Sequence, residues 1–110
     1  MQYKVFMLKD NDENSTRMYM SWDALVRRGI TPSESDYEEV YCGTYIDVDI
    51  ECMLDGIFTV LNTAHPEDYN NRSLSVGDLI VFENDPETVY FCDSFGWKKL
   101  DRFLEGRPAV

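Results

Sequence analysis

His65 is the chain's only histidine, and Asp68, Arg72, Ser73 and Ser75 all follow it within ten residues. Side chains of these types do recognisable chemistry. An imidazole takes a proton near neutral pH, a carboxylate orients it, a guanidinium clamps an anion and a seryl hydroxyl attacks an electrophile. Catalysis by such a set requires convergence, and none of the motifs that enforce it is present: there is no G-x-S-x-G elbow, no H-E-x-x-H helix and no P-loop. Gly77 and Gly96 are too isolated to cradle a phosphate. Cys42, Cys52 and Cys92 fit neither a C-x-x-C site nor a disulfide framework. They read as reduced, buried, cytosolic thiols, with no metal and no cofactor expected.

The same stretch, HPEDYNNRSLSVGDLIVF, also reads as a structural corner. Pro66 restricts the chain after a helix, Asn70 and Asn71 tolerate left-handed turn conformations, and Gly77 permits positive φ just before an apolar strand. Arg72 would tether the loop to a carboxylate such as Asp68 or Asp93, and His65 would serve as a hydrogen-bond partner at the helix end. Each residue then answers a need of the local backbone. The corner (His65, Pro66, Asp68, Arg72, Gly77) is the preferred reading, with the small enzyme using His65 and Arg72 as its rival.

The elements that must position this loop follow from periodicity. YKVFML (Tyr3 to Leu8) is short and rich in β-formers, and predicts a first strand. Asp10 to Ser15 is a polar turn, Arg17 to Ser21 predicts a second short strand, and Ser21 caps a helix through WDALVRR that Gly29 stops. Tyr37 to Tyr45 predicts a strand, with a bulge or bend tolerated at Gly43. Ile50, Met53, Leu54, Ile57, Phe58 and Leu61 recur at three- and four-residue intervals, the spacing of one helical face, with Asp47 or Asp49 at its start. Leu79 to Glu83 and Thr88 to Asp93 predict a hairpin across Asn84 to Glu87, and Leu100, Phe103 and Leu104 a closing strand or helical turn. The fold class expected is α+β: a small antiparallel sheet packed against one main helix, as a single domain over residues 1–110.

With 44% apolar and 14% aromatic residues in 110, the chain can bury a core despite its charge. MQYKVFMLKD is no secretion signal, and no apolar run approaches the roughly 20 residues that span a bilayer. A cytoplasmic protein without membrane contact is expected. The net charge of −11 is concentrated: between Gly29 and Asn71 there is no lysine or arginine, while ten acids fall there. Direct nucleic-acid binding is disfavoured, because binders of a phosphate backbone need cationic grooves. A basic protein surface is the favoured partner, against the plainer alternative of a solvated acidic face that maintains solubility.

VYCGTY, GIFTVLNTAHPEDYNNRSLSVGDLIVF and YFCDSFGWKKLDRFL, in that order, resemble the YodL-like domain of Firmicutes, found alone and inside larger proteins of plasmids, phages and conjugative elements. The likeness runs from about Tyr37 to Leu104, and residues 1–36 stand outside it. It is carried most specifically by H-P-x-D-Y-x-x-R-S-L-S-V-G-D and by aromatic-C-D-S-x-G-aromatic. The resemblance implies mobile-element context and brings no catalytic residue. Context and charge together suggest counter-defence: an anti-CRISPR or antirestriction protein that occupies the cationic channel of a host nuclease, or another nucleic-acid-binding protein, by imitating phosphate charge. The candidate contacts are Glu34, Asp36, Glu38, Glu39, Asp47, Asp49, Glu51 and Asp55. A second reading is an adaptor that recruits element proteins through Tyr45, Tyr69, Phe95 and Trp97.

Overall fold

A computed structural model of the chain describes residues 2–9, 20–29, 36–46, 49–63, 67–69, 74–85, 87–94 and 96–100. The elements are β1 (Gln2–Leu8), α1 (Trp22–Arg27), β2 (Tyr37–Thr44), α2 (Ile50–Thr63), β3 (Leu79–Phe82), β4 (Val89–Cys92) and β5 (Trp97–Leu100). The strands form one sheet in the order β2-β1-β3-β4-β5, antiparallel at every junction. This is the expected α+β architecture.

Alternation along β1 sets the two faces. Tyr3, Val5 and Met7 pack with Ile80 and Phe82 beneath the apolar face of α2, where Met53, Leu54, Ile57 and Leu61 are buried. Each such side chain contributes about 2 kcal/mol of transfer free energy, so the apolar repeat suffices to dock the helix. Phe6 and Leu8 point the other way and meet Leu79, Val81, Val89 and Phe91. That second face is covered by α1, whose Leu25 is buried and whose Trp22 stands edge-on to Phe91 with centroids 5.3 Å apart. The sheet therefore carries a helix on each face, one more than the main helix expected to cover it.

Ser21 caps α1 as anticipated, its Oγ accepting from the Ala24 amide at 3.2 Å, and Gly29 ends it at φ 70°. Of the strand predicted over Arg17 to Ser21, only Met20 and Ser21 are described, and neither is in a strand. The capping role at Ser21 takes precedence. The turn at Asp10 to Ser15, together with Phe103 and Leu104, lies outside the described residues. Trp97 to Leu100 form a strand rather than a helical turn, pairing with β4 from Cys92↔Trp97 to Val89↔Leu100.

Two local expectations need correction. Register slips between Val5 and Phe6, which face Tyr41 and Glu39, so the extra residue is Val40 and not Gly43. Gly43 stays in register opposite Tyr3, and a Cβ there would lie 2.7 Å from the Tyr3 hydroxyl and 2.7 Å from Tyr41 Cε2. Its missing side chain makes room for two aromatic rings. The cysteines also divide: Cys92 is buried, but Cys42 and Cys52 are exposed, Cys42 on a strand face that α1 does not reach and Cys52 on the outer side of α2.

Tyr3 is only 3% exposed and has nowhere to swing. Gly43→Ala should therefore destabilise the fold by about 1–3 kcal/mol through overpacking, seen as a lower urea midpoint with an unchanged slope.

Candidate functional site

The chain between α2 and β3 is fastened at both of its described ends. Asn62, in the last turn of α2, donates from Nδ2 to the Leu74 carbonyl at 2.9 Å and accepts the Leu74 amide at 2.6 Å. One side chain thus replaces a strand partner for buried Leu74. Ser75 to Asp78 then forms a turn: the Asp78 amide donates to the Ser75 carbonyl at 3.0 Å, and Asp78 Oδ2 accepts the Ser75 amide at 2.8 Å. Gly77 sits at φ 100°, where a side chain would be strained, and donates to the Cys92 carbonyl at 2.8 Å. Asp78 is 1% exposed, and these contacts meet the requirement that a buried carboxylate be hydrogen-bonded.

Midway, Asp68 and Tyr69 dock onto the sheet. Tyr41 donates its hydroxyl hydrogen to Asp68 Oδ1 at 3.0 Å, and Tyr69 packs edge-on against the Tyr41 ring at 5.2 Å. The carboxylate that a catalytic histidine would need for orientation thus holds a strand tyrosine. Ser75 Oγ lies 3.4 Å from Asp78, within the turn. His65, Pro66, Arg72 and Ser73 lie outside the described residues. Tyr3, close to this cluster, has its pKa pushed to about 12 chiefly by burial, and burial together with the Asp68 hydrogen bond raises that of Tyr41. Burial likewise pushes the Cys92 thiol to about 12, so it stays protonated and unreactive at neutral pH.

The proposed contact acids fall in two groups. Asp36 opens β2, its carbonyl accepting the Lys9 amide at 2.9 Å. Glu38 and Glu39 project to opposite sides of the sheet, Glu38 beside Met7 on the α2 side and Glu39 beside Phe6 on the α1 side, where Lys4 approaches it at 3.7 Å. Asp49 precedes α2, its carbonyl accepting the Met53 amide at 2.9 Å, and Glu51 and Asp55 follow on the exposed ridge of the helix. Asp55 accepts from Trp97 Nε1 at 3.3 Å. Glu34 and Asp47 lie outside the described residues. The structure thus places Glu51 and Asp55 on α2 with Asp49 just before it, and separates Glu39 from them.

Of the aromatic candidates, Tyr69 is buried, Tyr45 lays its phenol over Gly56 in the middle of α2, and Trp97 is partly buried beside Phe58. Phe95 lies outside the described residues. Ile46, 87% exposed between Tyr45 and the acidic helix start, was not singled out by sequence. Apolar residues alternate with acids through YIDVDIE, which gives no signal of which ones face water. Among the described residues no group of three histidine, cysteine or acidic side chains is arranged to hold a metal ion, and no helix is long and apolar enough to cross a membrane.

A model of the YodL-like domain matches residues 2–103. The match takes in the N-terminal residues that the sequence motifs had left outside, and the sheet order supplies the reason: β1 lies between β2 and β3 and cannot be separated from the domain. No curated protein and no solved structure matches the chain.

Asn62→Ala leaves the amide and carbonyl of buried Leu74 without these partners, and should cost about 2–3 kcal/mol with faster hydrogen exchange at the Leu74 amide. The Tyr3 phenol has a folded-state pKa of about 12, above the usual 10.0, so the stability it lends is complete below pH 10 and is lost as pH rises towards 12. Alkaline titration of Tyr3→Phe should show a smaller loss of stability in that window than the parent chain.

Proposed function

The chain belongs to the YodL-like domain family, and we propose that it is a non-enzymatic protein-binding module whose acidic surface engages a basic surface on its partner. The observation that carries this reading is the ridge of α2. Glu51 and Asp55 are exposed there one turn apart, with Asp49 exposed just before the helix, in a stretch from Gly29 to Asn71 that contains no lysine or arginine. Lys4 and Glu39, which approach to 3.7 Å, lie on the opposite side of the sheet. Glu51, in the first turn, gains from the helix dipole, whereas Asp55 one turn further on adds a like-charge repulsion of a few tenths of a kcal/mol, so helix stability alone does not call for the charge of Asp55.

A nucleic-acid-binding nuclease is the partner whose chemistry fits best, because its cationic channel is built to receive a row of anions. Inhibition by occupying that channel is counter-defence, of the anti-CRISPR or antirestriction kind, in keeping with the mobile-element context that the family resemblance implies. Ile46 favours a second reading. An isoleucine 87% exposed beside the acids suits an adaptor surface, where apolar contact supplies affinity and charge only steers.

Affinity capture from nuclease-treated bacterial lysate, eluted by rising salt, separates the two. Charge mimicry predicts release at moderate ionic strength, and loss of capture and of nuclease inhibition by at least about tenfold in the Glu51→Lys/Asp55→Lys double variant. Inhibition that survives the double variant overturns mimicry by this ridge. Capture that persists at high salt and is lost in Ile46→Asp supports the adaptor.

A further inference from the structure

The acidic ridge of α2 has an aromatic flank. Asp55 and Phe58, three residues apart, are neighbours on the helix surface, and Trp97 at the start of β5 meets both. The indole Nε1 donates to Asp55 Oδ1 at 3.3 Å, and the Trp97 ring stands at 84° to that of Phe58 with centroids 6.4 Å apart. Both rings are only partly buried against the core. Two rings at a right angle, with Asp55 at the junction and Glu51 one turn away, make a corner with apolar walls and an anionic rim.

The chemistry of that corner selects its occupant. An anion is repelled by Glu51 and Asp55. An apolar side chain would strip water from Asp55 without replacing its hydrogen bonds. A carboxylate that accepts the indole N–H also leaves the ring more electron-rich, and the negative π-face attracts a cation. A compact ammonium satisfies the carboxylates alone. A planar guanidinium satisfies both parts, stacking on an aromatic face while its N–H groups reach the carboxylate. We propose that the Asp55, Phe58 and Trp97 corner, rimmed by Glu51, is the receptor for an arginine side chain of the basic protein partner. This rests on the acidic-surface reading and adds to it the residue type that the surface selects.

The test titrates the folded chain with an oligo-arginine peptide, and with an oligo-lysine peptide of equal length, at physiological ionic strength. The two indole N–H resonances, Trp97 and Trp22, are followed by NMR. Saturable movement of the Trp97 resonance with oligo-arginine, little movement at Trp22 and weaker binding of oligo-lysine are expected. Asp55→Asn keeps an acceptor for the indole N–H but removes the charge, and Trp97→Phe keeps an aromatic ring; each should weaken oligo-arginine binding about tenfold. Glu87→Gln removes an equal charge from the β3–β4 connection and should change binding less than about twofold. Equal effects of Asp55→Asn and Glu87→Gln, or an unmoved Trp97 resonance during binding, overturn the arginine receptor while leaving a basic partner in place. Absence of binding by either peptide overturns both.

Discussion

Leu79, Ile80, Val81 and Phe82 present alternate side chains to opposite faces of the sheet, and all four are buried. Both faces of β3 must therefore be covered, and most of the remaining architecture meets that requirement. α2 lies over Ile80 and Phe82, while α1 lies over the side of Leu79 and Val81. β1 and β4 flank β3 and satisfy its backbone on both edges. A short strand with four buried side chains and two paired edges has little freedom to shift, because a one-residue slip would exchange its two faces. The segment that delivers the chain to this strand is tied through Asn62, Asp68 and Asp78.

That tying employs the described polar side chains of the segment. Asp78, Asp68 and Asn62 all spend their polar groups on fixing backbone or a neighbouring tyrosine. In a loop that crosses from helix to strand, backbone donors and acceptors lack regular partners, and short polar side chains supply them. Gly77 completes the turn in a conformation closed to most other residues. Clustered Asp, Ser and Asn signal chemistry or corner equally well in sequence, since both uses draw on the same hydrogen-bonding capacity.

The acids of α2 stand apart from this economy. The exposed Glu51 carboxylate is favoured by the N-terminal end of the helix dipole and repelled by Asp55, and among the described residues it holds no distant partner in place, whereas the Asp68 and Asp78 carboxylates each hold one. Asp55 spans both roles, anchoring the Trp97 indole from an exposed helix position. Surface charge that the fold does not use is the kind available for recognition, and here it adjoins partly buried aromatic side chains.

Much of this was already present in the order of residues. The α2 repeat, the strands at YKVFML and LIVF, the Ser21 cap and the α+β class follow from periodicity and capping chemistry, which act over a few residues and need no knowledge of the fold. What depends on distant contacts was decided by tertiary structure. Gly43 leaves room for the ring of Tyr3, forty residues away, and the register shift falls at Val40 instead. Asn62 and Leu74 gave no sign of their pairing, and Asp55 and Trp97 belonged to two different candidate surfaces until a hydrogen bond joined them across 42 positions. Sequence fixes which side chains are able to interact within a turn of helix or a pair of strand residues; which distant partner each one meets is set only when the sheet is assembled, because strand order brings β1 between β2 and β3 and carries β5 back to α2.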